Sequence, residues 1–137
     1  MDNCFQMNFT PAQVNAMTNL ALAHIGDGAY ELLVRSYLCT CGNKTVLKLH
    51  NDTVKLVQAT TQARFADKIL PQLTEEEQAY YRRGKNSHTH AAPKSASPKD
   101  YAKATGLECL FGALYLLGRT DRLGELFAMM MEDDHGI

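Results

Sequence analysis

Apolar residues recur at helical spacing along most of this chain, and that period limits the possible folds more than any other feature. Leu22, Ile25, Ala29, Leu32 and Leu33 would share one side of a long helix over about residues 19–38. No segment alternates apolar and polar residues clearly enough to indicate a half-buried strand. The sequence therefore predicts an all-α fold.

Capping signals divide this pattern into shorter helices. Thr10, followed by Pro11 and by Gln13 three positions on, predicts a short helix that ends near residue 17. Thr74 and Glu77 form the same kind of capping box and predict a helix that reaches about residue 83. Between residues 44 and 70 we expect two or three helices, divided by polar clusters at 51–53 and 60–61 and closed by Pro71. Two further helices are expected, one over 101–117 that Gly118 stops and one over 121–131 that Thr120 caps.

Length and composition are those of one globular domain over residues 1–137. The 137 residues are 45% hydrophobic and 21% charged, and no apolar run approaches the roughly 18 residues that a membrane-spanning helix needs. The first residues carry no basic segment ahead of an apolar one, so no signal peptide is expected. These features predict a soluble, cytoplasmic protein without a membrane partner.

The nearly neutral net charge hides a basic segment. Lys and Arg number 14 against 15 Asp and Glu, but six of the basic residues lie between Arg82 and Lys103, where Asp100 is the single acid. Residues 84–99 hold two prolines and almost no large apolar side chain, which predicts a long loop that contacts RNA phosphates or, alternatively, a solvated linker. The candidate RNA-binding residues are Arg82, Arg83, Lys85, Asn86, His88, His90, Lys94 and Lys99.

Two acidic residues stand in apolar helical segments. Asp27 lies between Gly26 and Gly28, and because a glycine inside a helix costs about 0.8–1 kcal/mol relative to alanine, the pair predicts close approach by a partner. Glu108 lies in the second such segment, residues 104–117. Carboxylates from two helices can hold one Mg²⁺ and leave positions for water and phosphate oxygens, an arrangement that suits phosphodiester hydrolysis. Buried structural hydrogen bonding is the alternative interpretation.

Glu31 and Thr105 are secondary candidates, as metal-binding or structural residues. Glu31 shares a helix face with Asp27, but its spacing to Arg35 favours an ion pair on a solvated face. Thr105 lies three residues before Glu108, on a turn of small and polar residues.

Three motifs, in this order along the chain, resemble the ribonuclease III family. Residues 22–31, Leu-Ala-His-Ile-Gly-Asp-Gly-Ala-Tyr-Glu, are similar to the signature helix of the family, and residues 105–116, Thr-Gly-Leu-Glu-Cys-Leu-Phe-Gly-Ala-Leu-Tyr-Leu, to its second acidic motif. Residues 73–77 and 83–86, with the polar loop that follows them, resemble the Mini-III class. That class has the catalytic domain and lacks an appended double-stranded-RNA-binding domain.

The resemblance implies a ribonuclease III-like catalytic domain, a helical bundle that acts as a homodimer. It implies Mg²⁺-dependent cleavage of double-stranded RNA to 5′-phosphate ends with short 3′ overhangs, with Asp27 and Glu108 as the catalytic, metal-binding acids. It also implies a large-subunit (23S) ribosomal RNA precursor as the substrate, and it leaves open a contact with ribosomal proteins on that precursor. Longer members of the family carry two further acids, at the positions of Ala23 and Thr105 in this sequence, and Thr105 fits the Mini-III pattern.

Two other functions remain open at the level of the sequence. A non-catalytic RNA-binding or ribosome-associated protein would keep the basic loop and have no use for the acids. A helical interaction module without an RNA role would need neither. The presence of both Asp27 and Glu108 favours the nuclease.

Overall fold

Seven α-helices make up most of the residues that the structure, a computed structural model, describes, namely residue 3 and residues 5–87 and 96–132. No strand is present in these ranges, which confirms the predicted all-α fold. A 3-10 turn, Leu70–Gln72, joins the fourth and fifth helices. The helices are Pro11–Asn15 (α1), Asn19–Thr40 (α2), Val46–Val57 (α3), Ala59–Ile69 (α4), Glu75–Lys85 (α5), Pro98–Leu116 (α6) and Thr120–Met131 (α7).

Hydroxyl side chains begin most of these helices. Each accepts a hydrogen bond from the backbone N–H three residues later, which satisfies one of the donors that a helix start leaves unpaired. Complete capping boxes are present at the two predicted positions, at the start of α1 and of α5. The hydroxyl caps are Thr10, Thr18, Thr45, Thr74 and Ser97.

The predicted cap of α7 is wrong, and the predicted end of α6 is right. Thr120 is the first residue of α7, and Arg119 occupies the cap position without a side-chain capping bond. Gly118 follows the end of α6 with φ of 76°, a left-handed conformation that glycine adopts without a steric penalty. Gly118 therefore turns the chain from α6 into α7.

The polar cluster at 51–53 does not divide the chain as predicted. It lies inside α3, and the break comes at Gln58, whose ψ of 146° is extended. Asp52 is fully buried and accepts hydrogen bonds from Lys44 and Lys48 at 2.9 Å each. Because two cations satisfy this carboxylate, a residue that usually favours turns is held within the helix.

The connection between α5 and α6 is shorter at both ends than the predicted loop over residues 84–99. Gly84 and Lys85 complete α5, whereas Pro98 and Lys99 begin α6. Gly84 stays helical where α5 meets α6 so closely that a Cβ on it would lie 2.7 Å from the sulfur of Cys109. Residues 88–95, which include the candidates His88, His90 and Lys94, lie outside the described residues.

Helix α6 is the centre of the fold and packs against α2, α4, α5 and α7. The rings of Tyr30, Phe111 and Phe127 join α2, α6 and α7 through edge-to-face contacts, with Tyr30 lying 6.0 Å and 6.4 Å from the other two ring centroids. No helix within residues 5–87 and 96–132 is both long and apolar enough to span a membrane.

The buried side of α2 differs from the predicted one. Leu32 is 52% exposed, because it lies two residues from the buried Tyr30 and so about 200° around the helix. The residues of α2 that reach the core are Leu22, Ala23, Gly26, Tyr30, Val34 and Leu38, a stripe with a spacing of four residues for most of its length.

Candidate active site

Two glycines let α2 and α6 touch through their backbones. A Cβ on Gly26 would clash with the carbonyl group of Glu108 and lie 2.8 Å from the nitrogen of Gly112. A Cβ on Gly112 would clash with the carbonyl of Leu22. The close approach predicted at Gly26 is therefore made by α6 of the same chain, and the expectation of a separate partner there is wrong.

Gly28, on the other side of Asp27, has a different environment. In the part of the chain that the structure describes, nothing lies within 4 Å of the position that a Cβ on Gly28 would take, and the residue is exposed. The two glycines that flank the acid therefore have different structural roles, and only Gly26 is required by packing within the chain.

The helix crossing brings Asp27 and Glu108 together. Asp27 is exposed, whereas Glu108 is partly buried, and their carboxyl groups share a hydrogen bond. Burial, the negative charge of Asp27 and the hydrogen bond between the two groups together raise the pKa of Glu108 from 4.5 to about 8. Without a bound cation, the raised pKa favours the protonated form of Glu108 at neutral pH.

Gln62 of α4 is a third polar residue at this site, and sequence reasoning missed it. Its side-chain amide lies beside the carboxyl of Glu108 and lowers the pKa of that group, and its Nε2 donates to the carbonyl of Val57 at 3.0 Å. Gln62 is only 3% exposed. A signal was present in the sequence, since Gln62 shares a helical spacing with Phe65 and Ile69 and is the polar member of a buried stripe.

The secondary candidates are engaged in local contacts. Arg35 and Glu31 form the predicted ion pair, with 2.7 Å between Nη2 and Oε2, and both side chains are more than a third exposed. The hydroxyl of Thr105 donates to the carbonyl of Tyr101 one turn earlier in α6, at 3.0 Å. A metal-binding role for either residue stays a prediction.

The donor set at the helix crossing fits a hard divalent cation. It consists of the oxygen atoms of two carboxyl groups, which are ligands that Mg²⁺ prefers. The raised pKa of Glu108 fits the same interpretation, because a cation between two crowded carboxylates would relieve their repulsion. Among the described residues no group of three or more His, Cys, Asp and Glu side chains converges, so water or phosphate would complete the coordination.

The candidate RNA-binding residues fall into two groups. Arg83 is committed to the fold: its Nε donates to Oδ1 of Asn19 at 2.8 Å, and its Nη2 donates to the carbonyl of Met17 at 2.7 Å. The second group consists of exposed cations that flank both ends of the segment 88–95. In the described ranges, none of them has a carboxylate within ion-pair distance. They are Arg82, Lys85 and Lys99, and the C-cap residue Asn86 is exposed beside them.

Comparison with known proteins identifies the family. Residues 20–119 match the Ribonuclease III domain. The Mini-ribonuclease 3 of Symbiobacterium thermophilum is 48% identical over 107 residues, which span 78% of this chain and 82% of the relative. The Mini-ribonuclease 3 of Clostridium tetani is 39% identical over 124 residues, or 90% of this chain and 82% of the relative.

A solved structure shares the fold. The crystal structure of a Fusobacterium nucleatum protein matches with a TM-score of 0.78 and 29% identity, and covers 87% of this chain and 95% of its own. Together with the sequence matches, this similarity confirms the resemblance noted above. The chain is an endoribonuclease that belongs to the ribonuclease III family and, within it, to the Mini-ribonuclease 3 group.

Proposed function

We propose that this endoribonuclease cleaves double-stranded RNA in a Mg²⁺-dependent hydrolysis in which Asp27 and Glu108 bind the metal and carry the catalysis. The observation that supports the proposal is the contact between these two carboxyl groups at the crossing of α2 and α6. Among the residues that the structure describes, no basic side chain forms an ion pair with either acid, in contrast to the buried Asp52.

The residues have distinct parts in this chemistry. A bound Mg²⁺ would supply an activated water and neutralise charge on the scissile phosphate. Asp27 is exposed and can meet a phosphodiester on the surface, whereas Glu108 lies deeper and gives up its proton when a cation binds. Gly26 keeps the two carboxyl groups in register by allowing the backbones to touch. Glu31 and Thr105 are kept as secondary metal-binding candidates.

The substrate would be held by the basic segment between α5 and α6. Arg82, Lys85 and Lys99 are exposed on either side of residues 88–95 in the sequence and have no carboxylate within ion-pair distance among the described residues. Their charge neutralises phosphates, while Asn86, His88, His90 and Lys94 add donors and charge over the predicted loop. Because A-form RNA is recognised mostly by shape and backbone, such a segment can bind a duplex without reading its bases. Arg83 contributes by fixing α5 to the start of α2.

We further propose that the substrate is an end of the large-subunit (23S) ribosomal RNA precursor and that the enzyme acts in the cytoplasm. The support is the resemblance of the sequence motifs to the Mini-III class, which implies such a precursor, together with the similarity to proteins named Mini-ribonuclease 3. Ribosomal proteins bound to the precursor would be the neighbours of the enzyme in that setting.

We also propose a homodimer. Two copies related by a two-fold axis would place one active site on each strand of a duplex. Three large apolar side chains on α2 and α3 are exposed to solvent: Leu32 is 52%, Val46 82% and Leu47 68% exposed. Because a partner subunit would cover them, they support a dimer interface on these two helices. Light scattering during gel filtration should give twice the chain mass for the wild type, and a monomer mass for the wild type would contradict this part of the proposal.

The catalytic assignment is tested by incubating structured ribosomal precursor RNA with Mg²⁺ and the protein. Asp27→Asn and Glu108→Gln should each abolish cleavage and retain RNA binding, because the charge needed to hold the metal is lost while the basic segment is intact. Asp121→Asn, which removes an exposed acid at the start of α7, serves as the matched control and should cleave like the wild type. Equal cleavage by the wild type and the two site variants would refute the assignment.

A further inference from the structure

We infer that Gln62 is a positioning residue of the active site: its amide nitrogen orients the carboxyl of Glu108, and its buried carbonyl oxygen is a further acceptor for the hydrated metal ion. The inference rests on the proposed function, since it concerns the same metal site. Gln62 lies on α4, a helix that contributes none of the acids.

The orientation of the Gln62 amide follows from its contacts. Only the NH₂ end of an amide can donate to a backbone carbonyl, so the 3.0 Å contact with the carbonyl of Val57 defines which end is nitrogen. The same nitrogen carries a second hydrogen, and Gln62 lowers the pKa of the neighbouring Glu108 carboxyl, as expected for an amide whose N–H faces it. The nitrogen end of the amide is therefore on the side of Val57 and Glu108.

The carbonyl oxygen of Gln62 is left without a donor. Oε1 is buried and accepts no hydrogen bond from any side chain or backbone group in the described ranges, and no other buried side-chain oxygen or nitrogen there shares this state. An unpaired buried oxygen destabilises the folded protein, so a purely structural residue at this position would be better replaced by an apolar one. A polar neighbour supplied by the hydrated ion gives this oxygen a partner.

Gln78 is a glutamine with a structural hydrogen bond and serves as the comparison for Gln62. Its Nε2 also donates to a carbonyl five residues earlier, that of Leu73 at 3.3 Å, and in the described ranges no carboxyl group accepts a hydrogen bond from Gln78. Gln78→Met would remove the same type of hydrogen bond to the backbone as Gln62→Met. Comparison of the two variants therefore separates the stability lost with that hydrogen bond from the loss of metal binding that follows when Glu108 is no longer oriented.

The test titrates Mn²⁺ alone into the protein without RNA, followed by electron paramagnetic resonance, and then measures cleavage as a function of Mg²⁺ concentration. Gln62→Met should weaken Mn²⁺ binding by about tenfold and raise the Mg²⁺ concentration needed for half-maximal cleavage, since residues that orient metal ligands have effects of this size. Gln62→Asn should also weaken Mn²⁺ binding and raise the required Mg²⁺ concentration, because its side chain is one methylene group too short for the amide to reach Glu108. Gln78→Met should leave the Mn²⁺ titration unchanged.

A second measurement uses the wild type and does not depend on the folding of any variant. In nitrogen-15 NMR spectra, the side-chain amide of Gln62 should shift as Mg²⁺ is added, with a midpoint equal to that of the metal titration, and the amide of Gln78 should stay in place. The inference would be overturned by a Gln62 signal that does not shift, or by a folded Gln62 variant that binds Mn²⁺ within twofold of the wild type. In either case, cleavage by the wild type would still support the proposed function. A wild type that neither binds Mn²⁺ nor cleaves RNA would overturn both.

Discussion

Gly26 of α2 and Gly112 of α6 face each other where the two helices cross, and the nitrogen of Gly112 lies 2.8 Å from the position of a Cβ on Gly26. The two proposed catalytic acids are next to this contact: Asp27 follows Gly26 directly, and Glu108 is one turn before Gly112. The geometry of the acid pair therefore depends on the absence of two side chains.

Substitution at the two glycines that flank Asp27 should have opposite effects on stability. Gly26→Ala forces α2 and α6 apart, and we expect a loss of about 1–3 kcal/mol in the free energy of unfolding, the usual range for overpacking, together with a loss of cleavage. Gly28→Ala adds a methyl group where nothing lies within 4 Å, so the better helix propensity of alanine should raise stability by up to about 1 kcal/mol. Urea unfolding of both variants measures the difference, and equal stabilities would contradict this account of the crossing.

The raised pKa of Glu108 predicts how stability depends on pH when no metal is present. The folded protein binds this proton up to about pH 8, whereas the unfolded chain releases it near the ordinary value of 4.5. The folded state therefore holds more protons than the unfolded state between these values, and the free energy of unfolding contributed by this group must fall as the pH rises through the range.

Glu108→Gln removes that dependence because an amide does not ionise. Without divalent ions, the variant should melt several degrees above the wild type at alkaline pH, and the gap should narrow towards mildly acidic pH. Added Mg²⁺ should raise the melting temperature of the wild type and leave that of the variant unchanged, since only the wild type binds the ion tightly. Thermal melts with and without Mg²⁺ provide the measurement, and parallel pH profiles for the two proteins would disprove the assignment of the raised pKa.

The basic segment makes a prediction about salt. Arg82→Ala and Lys85→Ala should each weaken binding of duplex RNA and reduce the slope of log affinity against log salt concentration by about one, because each lost phosphate contact releases one counterion fewer. Arg119→Gln removes an equal charge from a surface ion pair with Glu76 and should leave the slope unchanged. An unchanged slope for Arg82→Ala and Lys85→Ala would remove this segment from the RNA interface.

Arg83 and its neighbour Arg82 should behave differently on substitution. Arg83→Ala breaks two hydrogen bonds from a charged group, to Asn19 and to the carbonyl of Met17, and should destabilise the fold by about 1.5–3 kcal/mol. Arg83→Lys should not restore the loss, because an ammonium group cannot reproduce the planar fork of the guanidinium. Arg82→Ala should change stability by less than about 0.5 kcal/mol. Chemical denaturation distinguishes these outcomes, and a fully stable Arg83→Ala protein would contradict the structural role of Arg83.

Local signals predicted the helical elements well where a single side chain decides the outcome. The capping boxes at Thr10 and Thr74 and the turn at Gly118 were predictable, since each depends on groups within a few residues along the chain. Prediction was wrong at residues 51–53 and at Gly84, where contacts made in the folded protein outweigh the local preference. Asp52 stays helical because Lys44 and Lys48 satisfy its carboxylate, and Gly84 stays helical where it meets Cys109.

The sequence by itself determined the all-α class, the family resemblance and the two acids, because helix caps, apolar period and motif order are all properties of neighbouring residues. Only the tertiary structure decided that Gly26 serves an internal helix crossing, that Arg83 belongs to the fold, and that Gln62 contacts Glu108 from a third helix. These facts depend on which helix faces meet. Side chains far apart in the sequence meet only when the packing of α2 and α4 against α6 sets the distance between them.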